Sequence, residues 1–160
     1  MRTFTVRVNG RPAPQGSKRY VGKSKKDTAI LIEMSKKLKP WRKQVHEAAR
    51  QTTSLEGWVP FDGPILLNID FWLPRPVSHP KTRMTYPVGP PDLSKLIRAA
   101  EDSLTTSGVW VDDSRVVRTT STKSFAIPLD LPKLRALVSD ETPSEPGAFI
   151  QIWGRDFDDA

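Results

Sequence analysis

Apolar and polar residues alternate at the start of the chain. Phe4, Val6 and Val8 are separated by Thr5 and Arg7, the period of a half-buried strand, and Asn9-Gly10 closes it. The segment "RPAPQGSKRYVGKSKK" follows, punctuated by Pro and Gly and basic toward its end, which predicts a mobile basic loop over 11–34. From Ser35 to Gln51 the period becomes helical, with Leu38, Trp41, Val45, Ala48 and Ala49 on one stripe. Pro40 suits a first turn, so the regular part of that helix is placed after Lys39. "PILLNIDFWLP" alternates again, Ile65, Leu67, Ile69, Phe71 and Leu73 sharing a face between two prolines. Six prolines within 74–91 predict a rigid loop. A second helical stripe then runs through Leu93, Leu96, Ile97, Ala100 and Leu104 and stops at Ser107-Gly108.

After a short apolar segment, Val109-Trp110-Val111, the Val- and Thr-rich run Arg115 to Lys123 predicts a strand. Residues 128–146 are irregular apart from one helical turn near Leu131 to Val138, and Phe149 to Trp153 form a last strand. The order β-α-β-α-β-β predicts one α/β (α+β) domain over 1–160, a small mixed sheet with two main helices packed on it. The acidic tail, 155–160, is expected to fray.

Charge changes this picture. The chain carries 25 Lys and Arg against 18 Asp and Glu, a net of +7. Residues 11–50 hold twelve of the cations and only Asp27, Glu33 and Glu47 as acids, a net of +9. Such a block attracts a polyanion, each phosphate contact releasing a counterion. A solvated basic face is the plainer reading. With no Cys and two His, disulfides, thiolate zinc sites and cysteine nucleophiles are excluded. No apolar run is long enough to span a bilayer, and no signal-peptide core is present, so a cytoplasmic protein without a membrane role is expected.

Within this basic chain, residues 91–113 reverse sign. Asp92, Glu101, Asp102, Asp112 and Asp113 stand against Lys95 and Arg98, a net of −3. Asp92 follows two prolines where a helix N-cap belongs, and Asp112-Asp113 sit where Asp commonly makes turns. Those readings need no chemistry. Adjacent carboxylates nevertheless repel, and a shared cation relieves them. A divalent site would combine Asp92 with Asp112 or Asp113, brought near by the returning strand, and oxygen ligands alone suit Mg²⁺ or Mn²⁺. Phosphodiester cleavage is the chemistry that such a site in a basic protein would serve.

"DLSKLIRAAEDSLTTSGVWVDDSRVV" resembles the signature of RusA-type Holliday junction resolvases, D-x-D-[N/K]-L-x-[K/R]-x-x-x-D-x-L followed by G-x-x-x-D-D-x-x-V. Asp92, Lys95, Leu96, Arg98, Asp102 and Leu104 match the first half, and Gly108, Asp112, Asp113 and Val117 the second. "GRPAPQGSKR" and "KKLKPWRKQV" are similar to the opening of phage-encoded members. The resemblance implies a RusA-like fold and a homodimeric, Mg²⁺-dependent endodeoxyribonuclease, with Mn²⁺ a possible substitute and no small-molecule cofactor. It implies four-way DNA junctions as substrate, cut by paired nicks in recombination and repair, in the cytoplasm of a bacterial host. Asp92 and Asp113 then match metal-binding carboxylates, and Asp112 a supporting or second ligand. Arg98 stands where the family has a Lys that contacts the scissile phosphate, and Lys95 is a second candidate for that contact.

Ser94 departs from the pattern, replacing the family's second Asp. A hydroxyl can ligate Mg²⁺ or hold its water but adds no negative charge, so weaker metal binding is expected, with Asp70 on the preceding strand a candidate substitute. Lys18, Arg19, Lys23, Lys25 and Lys26 are the candidate junction contacts. Asp102 is read as a structural partner of Arg98, and Trp41, Trp72 and Trp110 as core or interface residues rather than stacking platforms. Two alternatives stay open: a catalytically weak or inactive protein that binds branched DNA, and a broader flap or fork nuclease.

Overall fold

The computed structural model describes residues 1–16, 18–26, 29–33 and 36–155. Four strands form a mixed sheet: β1 (Arg2–Asn9), β4 (Ile65–Leu73), β5 (Val116–Phe125) and β6 (Gly147–Gly154). Their order is β1-β6-β4-β5, with β6 antiparallel to both neighbours and β5 parallel to β4. Two strands stand apart from this sheet, β2 (Lys18–Lys23) and β3 (Ala29–Glu33), paired antiparallel as a hairpin. Part of the basic segment expected as a loop is therefore a strand pair. Its Pro, Gly and Lys content hides two short strands whose backbones pair with each other.

The two long helices, α1 (Leu38–Thr53) and α2 (Leu93–Thr106), lie on one face of the sheet, and a single helical turn, α3 (Pro132–Arg135), interrupts the irregular segment before β6. In α1, residues Leu38, Trp41, Val45, Ala49 and Thr53 are buried, the spacing of one helical stripe. The helix begins at Leu38, with Pro40 in its first turn, where its missing N–H costs nothing. In α2 the buried stripe is Leu96, Ala99, Ala100, Ser103 and Leu104, while Leu93 and Ile97 are half-buried at its margin. Facing them are Ile65, Leu67, Ile69, Phe71 and Leu73 of β4, with Phe4, Val8, Ile150 and Ile152 from the other strands. Each such aliphatic side chain removed from water contributes roughly 1.5–3 kcal/mol.

The alternation in β4 is strict, so its other face carries Leu66, Asn68, Asp70 and Trp72, beside Phe149, Gln151 and Trp153 of β6. Among the described residues, no long helix covers that face. Trp41 and Trp110 are fully buried in the core, and the Trp110 Nε1–H donates to Thr105 Oγ1 at 2.7 Å. Trp72 is only half-buried, on the uncovered face.

Because β4 and β5 run parallel, the chain must return between their opposite ends, and α2 makes that return. Helix α2 therefore runs against the strands. Its N-terminal end lies beside the end of β5, where Lys123 Nζ donates to Pro91 O at 3.0 Å and Gly89 O at 2.8 Å. Its C-terminal end joins α1, with the Thr53 hydroxyl donating to Ser107 O at 2.7 Å. Gly108, at φ +77°, turns the chain out of the helix in the left-handed conformation a C′ glycine adopts freely.

Candidate active site

The Pro-rich loop before α2 is pinned along its length. Arg75 donates to Thr85 Oγ1, Pro80 O and Arg83 O, and His79 Nδ1 meets the same Thr85 hydroxyl at 2.8 Å. With Lys123 holding Gly89 and Pro91, the residue that follows is delivered to a fixed place. That residue is Asp92. It occupies the N-cap position with extended backbone, φ −66° and ψ 136°, yet its carboxylate makes no capping hydrogen bond. The cap expected from the sequence is thus present in backbone only. Its carboxylate faces Lys95 Nζ at 3.5 Å, an exposed pair of small energetic weight.

Helical spacing places Ser94, Arg98, Glu101 and Thr105 on one stripe of α2, away from the core stripe. Arg98 is exposed, and among the described residues no ion pair or hydrogen bond engages its guanidinium, the expected pair with Asp102 included. The chain after β1 runs across this part of α2: Gln15 N–H donates to Lys95 O at 3.1 Å. Gly16, at φ +96°, lies close enough that a Cβ there would stand 3.8 Å from Arg98 Nη1. The β2–β3 hairpin starts two residues later, so its basic first strand springs from beside Lys95 and Arg98. Lys23 ends β2 and Lys25 and Lys26 form its turn, all three exposed. The side chains of Lys18 and Arg19 lie outside the described residues, as does the tail 156–160.

At the other end of α2, the segment after Gly108 is sewn to the start of β4. Phe61 N–H donates to Val109 O, and Val111 N–H to Phe61 O. The Phe61 ring fits against Gly154, where a Cβ would come within 2.2 Å of Cδ1. Arg115 then grips Asp62 Oδ1 from Nε and Nη2 at 3.0 and 2.8 Å. Between these anchors lies a 3-10 turn, Asp113–Arg115, capped by Asp112, whose carboxylate accepts from Ser114 N–H at 2.9 Å. Those Ser114 hydrogen bonds, with Arg115 nearby, hold the Asp112 carboxyl below its ordinary range. Asp112 is committed to its turn; Asp113, exposed beside it, is the carboxylate left to reach outward.

Glu101 is the residue that sequence reasoning passes over. It is half-buried on α2, and burial, then the charges of Asp113 and Asp102, push its carboxyl above the usual range. Its spacing from Ser94 and Arg98 is a visible signal; its approach to Asp113 comes only from the tertiary fold. The charge of Asp113 acts on Glu101, which lies about 14 Å along the helix from Asp92 by the rise per residue. The returning strand does not bring Asp112 or Asp113 to Asp92 within one chain, because a parallel crossover puts the two ends of its helix at opposite ends of the strands. Among the described residues, no group of three or more His, Asp or Glu side chains in one chain could hold a metal ion. Asp70 offers no substitute. It lies on the uncovered sheet face, accepting from Asn68 at 3.2 Å and Thr122 at 2.6 Å, while α2 packs on the other.

One chain therefore presents two separate groups of polar residues along α2. One consists of Asp92, Ser94, Lys95 and Arg98 beside the basic hairpin; the other of Glu101 and Asp113. Residues 9–130, more than half of the chain, match the family model described as endodeoxyribonuclease RusA, and the chain belongs to that family. No curated protein matches it closely enough to add a further likeness. No helix among the described residues is long and apolar enough to cross a membrane.

Proposed function

We propose that this member of the RusA endodeoxyribonuclease family resolves four-way DNA junctions by paired, Mg²⁺-dependent nicks, working as a dimer of identical chains. The observation that carries the reading is the division of the acids between the two ends of α2, with Arg98 unengaged between them. Two nicks in opposed strands require two active sites, and two copies supply both halves of each.

The donor chemistry fits a hard cation. Asp92 and Asp113 offer carboxylate oxygens, Asp92 spends none of its lone pairs on capping, and Ser94 adds a hydroxyl. In this reading Asp92 and Ser94 of one copy and Asp113 of the other hold the ion, with Asp112 shaping the turn behind Asp113. Held there, Mg²⁺ or Mn²⁺ would supply charge stabilisation at the scissile phosphate and a more nucleophilic water. Arg98 grips the phosphate with a fork that remains charged at every physiological pH, and it orients without transferring a proton. Lys95 adds positive charge beside Asp92, and Lys23, Lys25 and Lys26 with their hairpin follow the backbone of an arm.

Labelled four-way junction, linear duplex and flap DNA, each with Mg²⁺, Mn²⁺ or EDTA, test the reading. Paired nicks confined to the junction and abolished by EDTA are expected. Ser94, one carboxylate short of the family pattern, favours a second reading, a protein that grips branched DNA and cuts it poorly. Junction binding without cleavage under either metal would establish that alternative, and cleavage of flaps as fast as junctions would establish a broader nuclease.

A further inference from the structure

The Pro-rich loop that leads into Asp92 also bounds a hollow of about 320 Å³, within the range of small-ligand pockets, roughly 300–1,000 Å³. Pro91 belongs to its wall, and Asp92 is the next residue. Arg11 and Pro12 form another part of the wall, and the same segment goes on to Gln15, whose N–H donates to Lys95 O at 3.1 Å. The hollow therefore lies beside the Asp92 end of α2.

Its wall is set before anything binds. Six of the lining residues are proline, five of them in the loop that Arg75, His79 and Lys123 hold in place. The buried Phe125 ring meets His79 edge-on, their centroids 5.2 Å apart. His79 Nδ1 is taken by Thr85, while Nε2 has no partner among the described residues. Tyr86 lines the hollow and is 71% exposed. Arg11 lines it too, exposed and without an ion pair or hydrogen bond among the described residues. Among the described residues, no Asp or Glu lines it. An aromatic face, an unengaged guanidinium and no negative charge suit a flat ring joined to an anion, which is what a nucleotide is.

We infer that this hollow receives the base of the nucleotide beside the phosphate at Asp92, turned out of the DNA stack. Tyr86 covers the face of the base, His79 Nε2 meets its edge, and Arg11 holds its phosphate. The inference deepens the proposed function and rests on its placing of the scissile phosphate at Asp92. Turning a base out costs stacking and pairing, and the cost is least where the stack is already broken, as at the crossing of four arms. A wall of pinned prolines loses little freedom when the base enters. The hollow thus strengthens the grip on a junction and adds nothing to the grip on a linear duplex.

5-Iododeoxyuridine, placed one position at a time within about two nucleotides of the crossing, links covalently to an adjoining aromatic ring on irradiation. In EDTA, with the junction bound and uncut, one such position should link to Tyr86, read by mass spectrometry of the peptides, and the same nucleotide in mid-arm should not. Tyr86→Ala should lower junction affinity by about tenfold and leave linear-duplex affinity and melting temperature unchanged, while Tyr86→Phe should behave as the parent. A bound junction that links to Tyr86 from no position overturns the inference, even where Mg²⁺ then brings nicking. Equal losses of affinity for junction and duplex overturn it as well. Linking at Tyr86 without cleavage under Mg²⁺ or Mn²⁺ sustains the hollow and overturns only the cleavage reading.

Discussion

Lys123 on the edge strand donates to the carbonyl of Pro91 at 3.0 Å, one residue before Asp92. A side chain of β5 thus fixes the entry to α2, while the turn that leads into the same strand carries Asp113 at the far end of the helix. The acidic residues of the signature are distributed along one rigid crossover, and each half of the distribution can be tested separately.

Asp92→Asn and Asp113→Asn should each lower junction nicking by about a hundredfold or more, a loss typical of removing a group that stabilises transition-state charge. Melting temperature and junction binding in EDTA should hardly move. Mixing the two variants should restore nicking in one strand per junction, since in the two-copy reading a mixed dimer has one complete site. A gel that resolves single from paired nicks reads this, and no recovery on mixing would place the complete site within one chain.

Ser94→Asp supplies the missing carboxylate. Cleavage in Mg²⁺ should rise by about tenfold, the scale on which groups around a metal tune its affinity, and the advantage of Mn²⁺ over Mg²⁺ should shrink. Titrating each metal against nicking rate for the two proteins measures both.

Arg98→Ala should reduce the nicking rate far more than junction affinity. One phosphate contact is a small share of binding, while the same contact at the scissile phosphate is strengthened as charge develops there. Arg98→Lys should recover part of the rate, because the charge returns without the planar fork. Equal losses of rate and affinity would make Arg98 an ordinary backbone contact.

Replacing Lys23, Lys25 and Lys26 by Gln should weaken junction binding at low salt and flatten its salt dependence. The slope of log affinity against log salt should fall by about one for each phosphate that is no longer neutralised. Filter binding across a salt series gives the slope. An unchanged slope would remove the hairpin from the DNA interface.

Glu101→Gln should stabilise the metal-free protein at neutral pH. Burial and the neighbouring Asp113 and Asp102 hold the Glu101 carboxyl above its ordinary range, so the folded chain keeps a proton that the unfolded chain has released. Stability therefore falls as pH rises from the ordinary glutamate range through the folded value, and the loss persists above it. Melting in EDTA should show the variant above the parent at pH 7 and the gap closing as the medium becomes more acidic than that range. Asp112 works in the opposite sense: hydrogen-bonded to Ser114, it stabilises the fold above its ordinary value and loses that contribution as pH drops through its lowered one.

Periodicity reveals most of the frame. The alternation from Ile65 to Leu73 and the stripe from Leu96 to Leu104 record which face of an element meets the core, and burial follows both. The β2–β3 hairpin is hidden because its strands lie off the main sheet and their alternation is broken by Lys, Arg and Gly. Asp92 is legible, but its freedom from capping is not, since the same residue type at the same position serves either role. Glu101 and the distance between Asp92 and Asp113 are concealed for a common reason. Both depend on β5 pairing parallel to β4, and the choice of strand neighbour leaves no trace in local spacing.

In the two-copy reading, the crossover through α2 would also set how cleavage scales with the amount of protein. With the acids at opposite ends of a helix, an isolated chain would have no complete place to cut, and cleavage below the dimer dissociation constant would grow with the square of chain concentration. A few molecules adrift among long duplexes would then be almost harmless. Only where enough copies gather would the blade assemble, with two edges at once.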